Sequence, residues 1–120
     1  MTAEPWLKAF LLTLAIELPI VVPLLRAAEA GLARRVALAF FANLATHPVV
    51  WFVFPGIPID GYTSLVLSEI WAFITEAAFL VLVVRGLSIV RASLASLIAN
   101  AGSCAAGLLL VRWFGRWLLE

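Results

Sequence analysis

Two glutamates and two asparagines are the residues of this chain whose types and spacing suggest chemistry. Glu17 is followed nine positions later by an arginine, and so is Glu76. Asn43 is preceded nine positions earlier by an arginine, and so is Asn100. Carboxylate and carboxamide oxygens accept protons, hydrogen bonds or cations, so the pattern predicts a site that responds to protons or cations.

The same pattern occurs once in each half of the chain. It reads E-x8-R, then a loop, then R-x8-N-x2-[ST], and its last position is Thr46 in the first half and Ser103 in the second. Leu and Ala match easily between apolar segments, whereas Glu, Asn and Arg are rare in them. We interpret the halves as two copies of a helical hairpin, about residues 6–54 and 63–111, with coincidence as the alternative.

The shared spacing predicts a common depth for the four residues, which we call the polar layer: Glu17, Asn43, Glu76 and Asn100. Nine residues of helix rise about 13.5 Å, so each of the four lies that far from an arginine at the same membrane surface. Rotation of 100° per residue also puts the polar residues of each helix on one face. Those residues are Thr13 and Glu17; Asn43, Thr46 and His47; Glu69 and Glu76; and Asn100 and Ser103.

Ionised carboxylates at this depth are energetically unfavourable unless a proton or another group compensates their charge. An ionised side chain at the centre of a bilayer costs about 2.5–3.5 kcal/mol on insertion scales, and no lysine or arginine shares the predicted depth. The glutamates are therefore expected to be protonated, to share a proton, or to hold a cation together with the Asn carbonyls. The alternative is that Glu and Asn only join the helices by hydrogen bonds.

His47 and Glu69 extend the polar layer towards the side opposite the arginine loops. The first copy has His47 where the second has Cys104, so the repeat is broken there. These groups suggest a proton relay, a metal ligand or a substrate contact. The alternatives are that His47 donates to the carbonyl of Leu44, which Pro48 leaves without its helical partner, and that Glu69 is simply solvated near the interface.

Composition identifies the environment of the chain. Its 120 residues are 65% hydrophobic and 12% charged, against about 25% charged in a typical soluble domain. We expect an all-α integral membrane protein, an antiparallel four-helix transmembrane bundle built from two parallel-repeat hairpins in one domain, residues 1–120. The predicted spans, each near the roughly 20 residues that cross a bilayer, are Trp6–Leu25, Val36–Phe54, Thr63–Val84 and Ala92–Val111.

Arginine placement predicts the orientation. The first and third loops and their edges carry five arginines, against three basic residues on the other side. The positive-inside bias predicts a bacterial-type inner membrane protein with both termini on the non-cytoplasmic side. The five arginines are Arg26, Arg34, Arg35, Arg85 and Arg91, and the three opposing residues are Lys8, Arg112 and Arg116.

These features favour transport or sensing of a proton, a cation or a small solute. Four helices enclose little volume, so the working unit is expected to be a homo-oligomer in the lipid bilayer. The alternative is an accessory subunit of a larger membrane complex that contacts a pigment, haem or metal through His47, which precedes Trp51 by four positions. The sequence leaves the cofactor and the metal undetermined.

Two other function classes are disfavoured. The chain has no H-E-x-x-H or G-x-S-x-G motif, so enzymatic activity is not the preferred interpretation. It also lacks a basic patch interleaved with aromatic residues, which disfavours nucleic acid as a partner.

Overall fold

The computed structural model describes residues 3–119, which are helical apart from short connections and contain no strand. The connections are short enough to place each helix next to its successor in the chain. Each of the four long helices has the length and apolar composition needed to cross a membrane. The helices are α1 (Ala3–Leu24), α2 (Leu32–Phe52), α3 (Gly61–Val83) and α4 (Ile89–Leu119), with a 3-10 turn at Phe54–Gly56 between α2 and α3.

The helices form a four-helix bundle in which α1 and α3 each contact both α2 and α4. Many large apolar side chains, among them Leu82, Ile89 and Leu109, are exposed on its outer surface. In water such a surface would be unfavourable, whereas in a bilayer it faces hydrocarbon and leaves the polar residues to turn inward. The chain is therefore a multi-pass membrane protein.

The helices begin two to four residues before the predicted spans, and the largest difference is at the end of α4. The last helix continues past the predicted end at Val111 to Leu119, with a non-helical backbone at Phe114 (φ −131°, ψ 25°). A helix continues beyond its apolar run when long basic side chains reach the aqueous interface, as Arg112 and Arg116 allow.

The second helix is displaced towards the N-terminus relative to the prediction. It begins at Leu32 rather than Val36 and ends at Phe52 rather than Phe54, and a 3-10 turn that includes Pro55 follows it. A proline disfavours the helical conformation of the residue before it, which agrees with the end of α2 shortly before Pro55.

Two residues fix the remaining turns. Asp60 precedes α3, and its carboxylate accepts a hydrogen bond from the backbone N–H of Thr63 at 2.9 Å, which satisfies a free amide of the first turn. Gly86, between α3 and α4, has φ of +78°, a conformation that glycine adopts without the steric cost of a side chain.

One end of the bundle is closed by apolar packing. This end carries the loops 25–31 and 84–88. We call it the arginine end, because Arg26 and Arg91 line a common groove there. The opposite end, where Lys8 of α1 contacts Trp117 of α4, is called the tryptophan end. The buried cluster at the arginine end contains Val21, Leu25, Leu38, Ala39, Leu80, Val84, Leu87, Ala92 and Ala99.

Candidate functional site

A cavity of about 270 Å³ lies inside the bundle and is lined by residues of all four helices. It extends from the polar layer towards the tryptophan end, where Ala9, Val50 and Val111 line it. The eight residues singled out in the sequence all line this cavity: Glu17, Asn43, Thr46, His47, Glu69, Glu76, Asn100 and Ser103. We call it the central cavity.

Glu76 is the best-connected member of the polar layer. Its Oε1 accepts a hydrogen bond from the Thr46 hydroxyl at 2.9 Å, and its Oε2 accepts one from Asn100 Nδ2 at 2.7 Å. Asn100 Nδ2 also donates to the carbonyl of Ser96 at 2.9 Å. Glu76 therefore joins α3 to both of its neighbouring helices, and its side chain is only 4% exposed.

Glu17 is even more buried, at 1% exposed, yet it has fewer partners. Its Oε1 accepts a hydrogen bond from the Ser103 hydroxyl at 2.6 Å. Its Oε2 is buried and has no hydrogen-bond partner among residues 3–119. A buried polar atom without a partner costs about 1–3 kcal/mol, so this oxygen is the place in the cavity wall where a donor is missing.

The two asparagines take different partners. Asn100 reaches Glu76 across the helix interface, whereas Asn43 donates to the carbonyl of Ala39, one turn back in its own helix, at 3.2 Å. Thr46, three positions after Asn43, supplies the bond from α2 to Glu76 instead. The structure thus brings the predicted residues to one cavity but does not join them in a single uniform ring.

Polar contacts connect each helix to both neighbours around the bundle. Such contacts inside a membrane fix the relative positions of helices that have no hydrophobic driving force between them. The contacts are Thr13 to His47 for α1 and α2, Thr46 to Glu76 for α2 and α3, Asn100 to Glu76 for α3 and α4, and Ser103 to Glu17 for α4 and α1.

His47 lies among aromatic side chains on the tryptophan side of the polar layer. Its ring centroid is 5.3 Å from that of Phe10, 6.2 Å from that of Trp51 and 6.3 Å from that of Trp6. Its Nε2 lies 3.4 Å from the Thr13 hydroxyl. The sequence had suggested the carbonyl of Leu44 as a partner, and the structure shows the contact with Thr13 instead.

The other nitrogen of His47, like Oε2 of Glu17, is a buried polar atom without a partner in the described part of the chain. His47 Nδ1 is buried and has no hydrogen-bond partner within the described part of the chain, and the side chain lines the central cavity. Two residues that line this cavity, Glu17 and His47, therefore each have a buried polar atom without a hydrogen-bond partner among the described residues.

The charged residues lining the cavity are all acidic. Glu69 is half-buried and lines the cavity on α3 together with Glu17 and Glu76, while no Lys or Arg is among the described residues that line it. Cys104 of α4 is also part of the wall. In a low-dielectric interior, unbalanced carboxyls attract protons and cations much more strongly than in water.

The arrangement does not resemble a metal centre. Among residues 3–119, no group of three or more His, Cys, Asp or Glu side chains is placed to hold a metal ion. Neither nitrogen of His47 is freely accessible, since Nε2 lies close to the Thr13 hydroxyl and Nδ1 is buried. A haem or metal bound through His47 would need one of these nitrogens to be freed.

Sequence reasoning did not identify the partners of several residues around the site. Thr13 was noted only as a neighbour of Glu17, although it also contacts His47. Ser96 is completely buried and donates to the carbonyl of Phe73 at 2.9 Å, which joins α4 to α3. Trp6 stacks on Phe10 beside His47, with 5.4 Å between the ring centroids of Trp6 and Phe10.

Comparisons of the chain with known protein families, with curated proteins and with solved structures each find no match. The chemistry of the site is therefore described by its own groups. It offers an unpartnered carboxyl oxygen, an unpartnered ring nitrogen, a second carboxyl held by two donors and a third that is half-buried. These groups can hold a proton, a cation or a solute that donates hydrogen bonds.

Proposed function

We propose that this protein binds and translocates, or senses, a proton, a cation or a small solute through the central cavity. The observation that carries the proposal is the Oε2 atom of Glu17, a buried carboxyl oxygen without a partner within residues 3–119, in a cavity whose charged lining is entirely acidic. An intramembrane ionisable residue is by default a functional candidate, and this one has an empty acceptor position.

Glu17 and Glu76 have different tasks in this proposal. Both carboxyl oxygens of Glu76 accept hydrogen bonds, from Thr46 and Asn100, so Glu76 holds three helices together and maintains the shape of the cavity. One oxygen of Glu17 accepts a hydrogen bond from Ser103, and the other is available to the transported species. Glu69 and His47 line the path between Glu17 and the tryptophan end.

Contacts along α1 support an antiparallel bundle. Residue numbers rise along α1 while those of the contacted residues fall along α2 and α4, as expected for helices that run in opposite directions. The contact pairs are Thr13 with His47 and Val22 with Arg35 for α2, and Lys8 with Trp117 and Glu17 with Ser103 for α4.

Hydrogen bonds also support the two-copy repeat, because several of them occur once in each half. In both halves the repeated Asn donates to the carbonyl four positions back, and the repeated hydroxyl donates to the Asn carbonyl and to the Glu of the other half. The pairs are Asn43 to Ala39 and Asn100 to Ser96, Thr46 to Asn43 and Ser103 to Asn100, and Thr46 to Glu76 and Ser103 to Glu17.

The repeat suggests how the closed end opens. The polar layer is followed at the arginine end by a cluster in which several contacts are made by alanines, Ala39, Ala92 and Ala99. Small side chains interlock little, so the two hairpins can rock against each other there, as the halves of parallel-repeat transporters do. This motion would connect Glu17 to the arginine end.

Sidedness and assembly are further parts of the proposal. The arginine end faces the cytoplasm of a bacterial-type inner membrane, because most basic residues lie there. The tryptophan end, into which the cavity extends, then faces outwards. The working unit is a homodimer or larger, because a single bundle of this size leaves little room for a gated path.

Flux measurements on reconstituted protein test the proposal. Purified protein is placed in liposomes, and a pH-sensitive dye reports proton flux driven by a potassium diffusion potential, with sodium or potassium gradients in parallel. We expect Glu17→Gln to abolish the flux and Glu29→Gln, a carboxyl in a loop at the arginine end, to leave it unchanged. Equal fluxes in wild type and Glu17→Gln would refute the role of Glu17, and no flux above empty liposomes in wild type would refute translocation of protons, sodium and potassium.

A further inference from the structure

We infer that the central cavity takes a small organic monocation that carries at least one ammonium N–H and an apolar body. This inference rests on the proposed function, in which Glu17 receives the bound species, and it names the chemical class of that species. Three properties of the cavity lead to it: its charge, its free hydrogen-bond acceptor and its apolar walls.

The charge of the cavity favours a cation over a neutral or anionic solute. Glu17, Glu69 and Glu76 line it, and no Lys or Arg does among the described residues. An anion would have to enter a low-dielectric space beside carboxyl groups, which is strongly unfavourable. A single positive charge, in contrast, compensates one buried carboxylate, and Glu17 Oε2 has no hydrogen-bond partner among residues 3–119.

The free acceptor favours an ammonium group over a bare metal cation. Hard metal ions take about six to eight oxygen ligands, but both oxygens of Glu76 and one oxygen of Glu17 already accept hydrogen bonds. An ammonium needs only acceptors for its N–H groups. Glu17 Oε2 supplies one, because this atom is buried without a hydrogen-bond partner among the described residues and belongs to a side chain that lines the cavity and is 1% exposed.

The walls favour an apolar body attached to the ammonium. Trp51 contributes an aromatic surface, and a cation near the face of a tryptophan gains an additional attraction. The cavity volume of about 270 Å³ fits a small organic ion. The aliphatic part of the wall is formed by Leu12, Ile16, Leu65, Leu108, Leu110 and Val111.

Binding of three matched compounds to the wild-type protein in detergent tests the inference. Benzylammonium has the charge, the N–H groups and the apolar body. N-methylpyridinium keeps the charge but has no N–H, and benzyl alcohol keeps the body but has no charge. Isothermal titration calorimetry is expected to show saturable binding of benzylammonium, about tenfold tighter than of either other compound.

Variants locate the site. Glu17→Gln is expected to weaken benzylammonium binding by about tenfold or more, and the matched change Glu29→Gln, at the arginine end, to leave it unchanged. Gel filtration and circular dichroism check that each variant is folded. The comparison of compounds uses wild-type protein alone, so it decides the question even when Glu17→Gln fails to fold.

The possible results separate this inference from the proposed function. Absence of saturable benzylammonium binding, equal binding of benzyl alcohol, or undiminished binding to folded Glu17→Gln overturns the ammonium class. If Glu17-dependent proton flux persists alongside such a result, the proposed function stands without this substrate. Binding with the expected selectivity but no flux of any kind supports the inference and refutes the transport role.

Discussion

Glu76 is hydrogen-bonded through both of its carboxyl oxygens, whereas Glu17 is hydrogen-bonded through only one. Both side chains are nearly inaccessible, and both line the same cavity. The two residues hold equivalent positions in the repeated sequence pattern, so the difference arises from their surroundings. Under the proposed function, Glu76 therefore has the structural task and Glu17 the binding task.

The first prediction concerns stability. Glu76→Gln places an amide N–H₂ where Thr46 or Asn100 donates, so a buried acceptor is lost, and we expect the free energy of unfolding to fall by about 1–3 kcal/mol. Glu17→Gln keeps the carbonyl oxygen that faces Ser103, and we expect a change below about 1 kcal/mol. Thermal unfolding in detergent measures both. A loss for Glu17→Gln equal to that for Glu76→Gln would contradict the assignment.

The second prediction concerns the bond between Ser103 and Glu17. Ser103→Ala removes the hydroxyl that donates to Glu17 Oε1 at 2.6 Å. A double-mutant cycle with Glu17→Ala, which removes the acceptor, is expected to give a coupling energy of about 0.5–3 kcal/mol. The matched cycle of Ser103→Ala with Glu29→Ala should give additive effects. Additivity in both cycles would show that the Ser103–Glu17 contact contributes nothing.

The four membrane-spanning helices could be predicted because the rules for them use helix length, helix rise and bilayer thickness, and do not depend on which side chains pair. The apolar runs and the depth of the bilayer identify four spans, and the nine-residue spacing of Glu17 and Asn43 from arginines places them deep in the membrane. Burial of the polar faces follows from the cost of exposing them to lipid. These arguments depend on helix geometry alone, so they need no knowledge of how side chains pair.

The third prediction concerns the turn between α3 and α4. Gly86 has φ of +78°, and a side chain there costs about 1–2 kcal/mol even though no atom lies within 4 Å of the added Cβ. We therefore expect Gly86→Ala to lower the free energy of unfolding by that amount. Gly56→Ala is the matched control, because its surroundings are equally open and its φ is not positive. Equal stability of the two variants would contradict the backbone explanation.

The fourth prediction concerns pH and the start of α3. Hydrogen bonds from the side chain and backbone of Thr63 hold the pKa of Asp60 below its ordinary value of 3.8. A depressed pKa stabilises the fold above that ordinary value, and the stabilisation is lost as the pH falls through the folded-state pKa. Asp60→Asn keeps a capping side chain without the charge.

Melting temperatures of the two proteins check this prediction. Wild type is expected to be more stable than Asp60→Asn at neutral pH, and the difference should shrink as the pH falls below 3.8. A difference that stays constant throughout this range would show that ionised Asp60 does not contribute to the cap.

The fifth prediction concerns the alternative role of His47 as a haem or pigment ligand. Because Nε2 lies beside Thr13 and Nδ1 is enclosed, we expect no axial coordination through this residue. Visible absorption spectra recorded during haem titration should be the same for wild type and His47→Ala. A coordinated-haem spectrum in wild type that disappears in His47→Ala would instead support the subunit interpretation.

The parts of the site that the sequence did not predict depend on rotamers and helix rotation. Asn43 and Asn100 have equivalent neighbours in the sequence, yet one bonds within its own helix and the other reaches Glu76. A small rotation of one helix decides between these partners, and hydrophobic periodicity does not fix it to that accuracy. The aromatic surroundings of His47 were not predicted for the same reason, because the contact of Trp6 with His47 depends on how closely α1 packs against α2.

The most direct test of the central claim observes the carboxyl of Glu17 itself. Infrared difference spectra between acidic and alkaline buffer, recorded on protein in lipid, report which buried carboxyl groups change protonation. We expect a buried-carboxyl band in wild type that benzylammonium alters, that is missing from Glu17→Gln, and that persists in Glu76→Gln. A band that remains in Glu17→Gln and vanishes in Glu76→Gln would contradict the claim that Glu17 is the group receiving the proton or cation.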